Sequence, residues 1–130
     1  MSALNFLNKI KEKHSLVGQE LTMSTSPWTS GSTITVENAD KYMVFLLFQE
    51  TGSVPDILLG LRRASNIITG FAITGSGSNQ YVETAFISTN GNSWTLNDTS
   101  IMTHTVSSNH SAVTTRSINK IIGLIPINEE

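Results

Sequence analysis

The stretch Ser26 to Phe48, "SPWTSGSTITVENADKYMVFLLF", decides the fold class. It opens on Trp28, set among small hydroxyl residues. "STITV" then alternates polar and β-branched residues, the two-residue period of a half-exposed strand. "ENAD" follows as a turn, with Asn38 and Asp40 offering short side chains that bond back to the backbone. Seven consecutive apolar residues come next, Tyr42 to Phe48. On a strand, Tyr42, Val44, Leu46 and Phe48 fall on one face and Met43, Phe45 and Leu47 on the other. A half-exposed strand needs only one apolar face, so this one asks for cover on both.

The rest of the chain repeats that period. "QELTMS" precedes the stretch as a first strand, and "DILLGLRR", "NIITGFAIT" and "QYVETAFIST" follow it, separated by short polar breaks. Asn90-Gly91 is the strongest hairpin signal, because both residue types tolerate positive φ. "SWTLN", "SIMTHTV" and "SAVTT" read as shorter strands, and the chain closes on "SINKIIGLIPI". There Ile118, Ile122 and Leu124 fall on one face, and Ile121, Ile125 and Ile127 on the other. Regular strands with turn signals between them predict an all-β fold, an antiparallel β-sandwich of jelly-roll type. Residues 3–13, "ALNFLNKIKEK", instead carry Leu4, Leu7 and Ile10 at helical spacing with lysines opposite. The expected organisation is a short amphipathic helix and linker over residues 1–17, then one β-domain over residues 18–130. The helix either lies on its own domain or ends a helical stalk.

Composition narrows the function. The chain has 130 residues, 38% hydrophobic and only 14% charged, with 17 Ser, 16 Thr and 11 Asn. Uncharged polar residues suit the outer faces of strands and their turns. A net charge of −2 with scattered basic residues leaves no electrostatic footprint for nucleic acid. No cysteine is present, so disulfides and thiolate metal sites are excluded. Ala3 to Ile10 is not a signal peptide, and no segment has the length of a membrane span, so no membrane insertion is expected. A hydrolase would need a nucleophile, a base and an orienting acid. His104, His110 and Asp98 are present, but without a nucleophile elbow or paired carboxylates, so neither a catalytic site nor a metal or cofactor site is expected. The sequons at Asn97 and Asn109 have no secretion signal to make them meaningful.

Two surfaces stand out. "STNGNSWTLNDTS" sets Trp94 among Asn90, Asn92, Asn97 and Asp98, the aromatic and amide set that binds a saccharide. The alternative is that Trp94 packs inward and the asparagines shape turns. Trp28 is expected to plug the end of the domain. The doubly apolar strands need more cover than one short helix supplies, which points to a homo-oligomer. Its interface residues would be Leu4, Leu7 and Ile10 on the helix, with Met43, Phe45 and Leu47 on the strand.

Two segments also carry a resemblance. Trp28-Thr29-Ser30-Gly31 leads into the Thr33 to Val36 strand, then a turn and the apolar strand Tyr42 to Phe48, and the chain closes on Ile118 to Gly123. These elements resemble the terminal β-domain of bacteriophage minor structural proteins, the tail-fibre, baseplate and receptor-binding proteins. The closing motif of that group usually has an aromatic residue before its glycine, where this chain has Ile122. The resemblance implies a β-sandwich at the end of a virion tail appendage, commonly a trimer on a stem. It further implies contacts with other tail or baseplate proteins and a bacterial surface polysaccharide as ligand. Residues 52–115 carry none of the motifs, so no binding residue follows from the resemblance. Two functions remain open beside it: a trimerising connector without a ligand, and a lectin-like carbohydrate-binding module.

Overall fold

The computed structural model describes residues 2–51, 54–76, 79–105, 109–113 and 117–127; within them, the side chains of 9–10, 12–14, 50–51, 54–56, 73–76, 79–82, 98–105 and 109–113 lie outside the description. The chain is mostly antiparallel β with a short N-terminal helix, as its periodicities require. Helix α1 is Ala3–Leu16, capped by the Ser2 hydroxyl, which accepts from the Asn5 amide at 3.2 Å. It runs three residues beyond its expected end.

The strands are β1 Gln19–Leu21, β2 Trp28–Thr29, β3 Thr33–Thr35, β4 Tyr42–Thr51, β5 Val54–Ala64, β6 Ile67–Ser76, β7 Asn79–Asn90, β8 Ser93–Thr105, β9 Asn109–Val113 and β10 Ser117–Pro126. They form one continuous sheet in the order β1-β10-β4-β5-β6-β7-β8-β3, with β2 also on β10 and β9 also on β8. The sheet curls into a half-barrel in place of the two stacked sheets expected of a sandwich. "SWTLN" and "SIMTHT" belong to a single strand, β8, which carries a register shift opposite Phe86 and Ile87.

The concave side explains how one sheet can curl on itself. Phe45 pairs with Gly60, Gly60 with Gly70, and Gly70 with Ala85, so a row of three small residues crosses β5, β6 and β7 beside Phe45. Ideal Cβ atoms at Gly60 and Gly70 would lie 3.3 and 3.0 Å from Leu47 Cδ1. The bulk that fills the concavity thus comes from β4, and the glycines make room for it. At one end the two margins of the sheet meet. Met23 bridges to Val36, the Ser24 amide donates to the Thr35 carbonyl at 2.9 Å, and the Glu37 amide donates to the Thr22 carbonyl at 2.9 Å.

Inside this closed end lies the aromatic core. Trp28, Trp94, Tyr42 and Phe45 are buried with Leu47, Leu58, Ile68, Ile87, Leu96, Ile118 and Ile121. Trp94 meets Phe45 edge-on at 4.9 Å between ring centroids, and Trp28 at 6.2 Å. Trp28 is the buried plug its setting suggested, and its Nε1 donates to the Ser32 carbonyl at 2.9 Å.

Strict alternation misassigns faces at two places. On β4 both Tyr42 and Phe45 point inward, because the register with β10 slips by one residue between them. On β10 both Ile118 and Ile121 point inward, across a similar shift at Asn119. Each shift is a bulge that inserts one residue and inverts the alternation beyond it.

Candidate interaction surface

The loop around Trp94 is a structural joint. Gly91 takes the positive φ of the β7–β8 turn, +60°, while Asn90 remains the last residue of β7. Asn92 ties that turn to the short 3-10 helix Ala39–Lys41: its Oδ1 accepts from the Asp40 amide at 2.9 Å and its carbonyl from the Val36 amide at 2.8 Å. Asn97 Nδ2 donates to the Ser88 hydroxyl across the hairpin. Trp94 is 0% exposed. The expectation that its ring is offered to a saccharide is therefore corrected, since stacking on a sugar requires an accessible face. Of the other residues in that set, Asn90 is exposed, and the Asp98 side chain lies outside the description.

The closed end is sealed by Arg62. Its Nε donates to the Tyr42 carbonyl at 2.9 Å, its Nη2 to the Ala39 carbonyl at 2.9 Å and its Nη1 to the Ser65 carbonyl at 3.3 Å. The guanidinium also lies 5.7 Å from the Phe45 ring centroid. Burial pulls its pKa below the ordinary arginine value, and the Asp40 charge acts in the opposite direction. Arginine starts so high that it stays protonated and keeps all three carbonyls satisfied. Further along the concave face, Gln49 Nε2 donates to Glu83 Oε2 at 2.7 Å with both side chains buried, and Gln49 Oε1 has no partner. Among the described residues no three His, Asp or Glu side chains converge as a metal site would need.

The convex side of the sheet is apolar. Cross-strand pairs carry one row from Ile122 to Leu46, Leu59 and Phe71, and a second from Val44 to Leu61, Thr69 and Phe86. Phe48 and Ile57 begin a third, with the Lys120 ammonium 5.4 Å from the Phe48 ring centroid. Ile57, Leu61, Phe71 and Phe86 are 36 to 50% exposed, and Leu46, Leu59 and Ile122 are half-buried. These contiguous apolar rows make the convex face the candidate interaction surface.

The expected interface residues divide accordingly. Phe45 and Leu47 belong to the domain's own core and cannot meet a neighbour, which corrects their assignment to an interface. Met43 is exposed, beside the bulge on β4. The second packing face of β4 is instead Val44, Leu46 and Phe48. On α1, Leu4, Leu7 and also Phe6 are more than half exposed, while the Ile10 side chain lies outside the description.

A groove of about 370 Å³ runs between β1, the segment after it and β10, lined by Glu20, Leu21, Thr22, Met23, Ser26, Asn119 and Lys120. The Ser26 hydroxyl donates to the Asn119 carbonyl at 2.9 Å beneath it. Sequence periodicity had no means of finding it, because it forms where the edge of β10 passes from β1 to β2.

No protein-family model, curated protein or solved structure matches the chain.

Proposed function

We propose that the chain is a structural, trimerising module of a bacteriophage tail appendage, within a fibre tip or baseplate in the virion tail. The observation that carries this reading is the uncovered convex face, the rows from Ile122 to Phe71 and from Val44 to Phe86. In this reading a neighbouring copy supplies the second layer that a jelly-roll sandwich would have had within one chain. The tail assignment comes from the resemblance of the two end segments. Its motif residues have structural work to do here, Trp28 as plug and Gly123 as the floor beneath Tyr42.

Light scattering on a sizing column tests the reading directly. The expected mass is three times the 14.1 kDa of the chain. A monomer would overturn it.

The groove favours a second reading, a receptor-binding domain for a bacterial surface saccharide. Its hydroxyl and amide groups, flanked by Glu20 and Lys120, are the donors and acceptors that hold sugar hydroxyls. Binding to host cell-wall saccharide that is competed by soluble sugar and lost in Lys120→Ala would establish it. Adsorption unchanged by that substitution removes the groove from consideration.

A further inference from the structure

We infer that the convex face of each copy is covered by helix α1 of a neighbouring copy, so that every chain lends its helix to the next around a closed ring. This rests on the oligomeric reading above and goes further, in naming the element that fills the interface.

One chain carries two uncovered apolar surfaces. The first is the stripe on α1, where Leu4 is 66%, Phe6 57% and Leu7 54% exposed. The second is the convex face, where Phe71 and Phe86 are 38 and 43% exposed. They do not meet within the chain. The C-terminal end of α1 is fastened at the closed end of the half-barrel, where the Tyr42 hydroxyl donates to the Leu16 carbonyl at 2.6 Å and Leu16 packs against the core. The Gly18 amide, one residue past the cap at Val17, donates to the Gly123 carbonyl at 2.9 Å. With these points held, the helix leaves the convex face of its own chain open, since Leu4, Phe6 and Leu7 stay exposed alongside Phe71 and Phe86.

The dimensions match across copies. Fourteen helical residues span about 21 Å and present a cylinder about 10 Å wide. The apolar rows cross four strands, about 14 Å at a strand spacing near 4.8 Å, and three rows of alternate residues add about 14 Å the other way. One helix therefore fills the face, and the ratio of helices to faces is one to one in any assembly of identical chains. Around a three-fold axis a helix on a neighbour's sheet is a head-to-tail contact, and such contacts close into a ring. A stalk of three helices would leave the sheet faces bare. Helix exchange covers both surfaces with one contact.

The absence of cysteine makes the test clean. Phe6→Cys and Phe71→Cys variants, differently tagged and co-expressed, are treated with a short bis-maleimide after circular dichroism shows the native strand signal. The expected product joins one chain of each tag, and Phe6→Cys alone gives no dimer. Leu7→Cys with Leu59→Cys is the second pair, should either first variant fail to fold. Cross-linking of Phe6→Cys to itself, with no mixed product, would overturn the inference in favour of a helical stalk. An oligomer in which neither pair gives a mixed product overturns helix exchange and leaves the oligomeric reading standing. Monomers by light scattering overturn both.

Discussion

Gly123 lies under the ring of Tyr42, and a Cβ placed there would sit 2.5 Å from Cε1 and Cζ. Nothing larger than hydrogen fits while the Tyr42 hydroxyl keeps its bond to Leu16. Gly123→Ala is expected to destabilise the fold by about 1–3 kcal/mol, the range of overpacking, as read by denaturant unfolding. Trp94 gives the opposite case, a buried ring whose removal leaves a void. Trp94→Ala should cost about 3–5 kcal/mol and Trp94→Phe much less, because Phe keeps the contact with Phe45. Equal stability of Trp94→Ala and the parent would contradict the burial. Tyr42 adds a pH dependence, since burial raises its phenol pKa above the ordinary 10.0. The unfolded chain then loses this proton before the folded one. The Tyr42 contribution is thus complete below pH about 10 and disappears as pH rises from there through the raised folded-state value. The expected result is an alkaline decline in melting temperature that is shallower in Tyr42→Phe.

At the scale of elements, curl depends on where bulk is withheld. The pairing of Gly60 with Gly70 and of Gly70 with Ala85 leaves the concave row without side chains that would hold the strands apart. Gly70→Val pushes β-branched bulk toward Leu47 Cδ1, which already lies 3.0 Å from the first added carbon. Its expected cost is about 1–3 kcal/mol, with a loss of near-ultraviolet aromatic signal as the core under β4 opens. An unchanged melting curve would mean that the curl does not depend on this row. The β7–β8 hairpin shows how far local chemistry reaches. Asn-Gly marks the turn, yet only the tertiary contacts of Asn92 with Val36 and Asp40 make the turn a brace for the closed end.

For the whole molecule, the governing fact is the surface left over. A sheet that curls once covers one face, and Ile57, Leu61, Phe71 and Phe86 on the other stay exposed, as do Leu4, Phe6 and Leu7 on α1. Phe71→Lys places a charge in the centre of the convex rows without entering the core. In the proposed trimer it is expected to shift the molar mass to that of a monomer while the circular dichroism spectrum stays unchanged. A trimer that survives this change would move the interface elsewhere.

The sequence by itself determined the class of the fold: a two-residue period from Gln19 onward, a helical stripe before it, and a β4 strand apolar on both sides. It also carried the apolar surplus, because seven apolar residues in a row put apolar side chains on both faces of a strand whatever the topology. Tertiary structure decided which residues supply that surplus. Bulges at β4 and β10 bring Tyr42 to the same side as Phe45 and Leu47, and Ile118 to the same side as Ile121, while Val44, Leu46 and Phe48 stay outside. It likewise buried Trp94, whose amide-rich setting resembles a sugar site as closely as it resembles a turn. The physical reason is the same in both cases. Periodicity and composition record what each residue prefers locally, whereas a one-residue slip in pairing, set by contacts far along the chain, exchanges inside for outside.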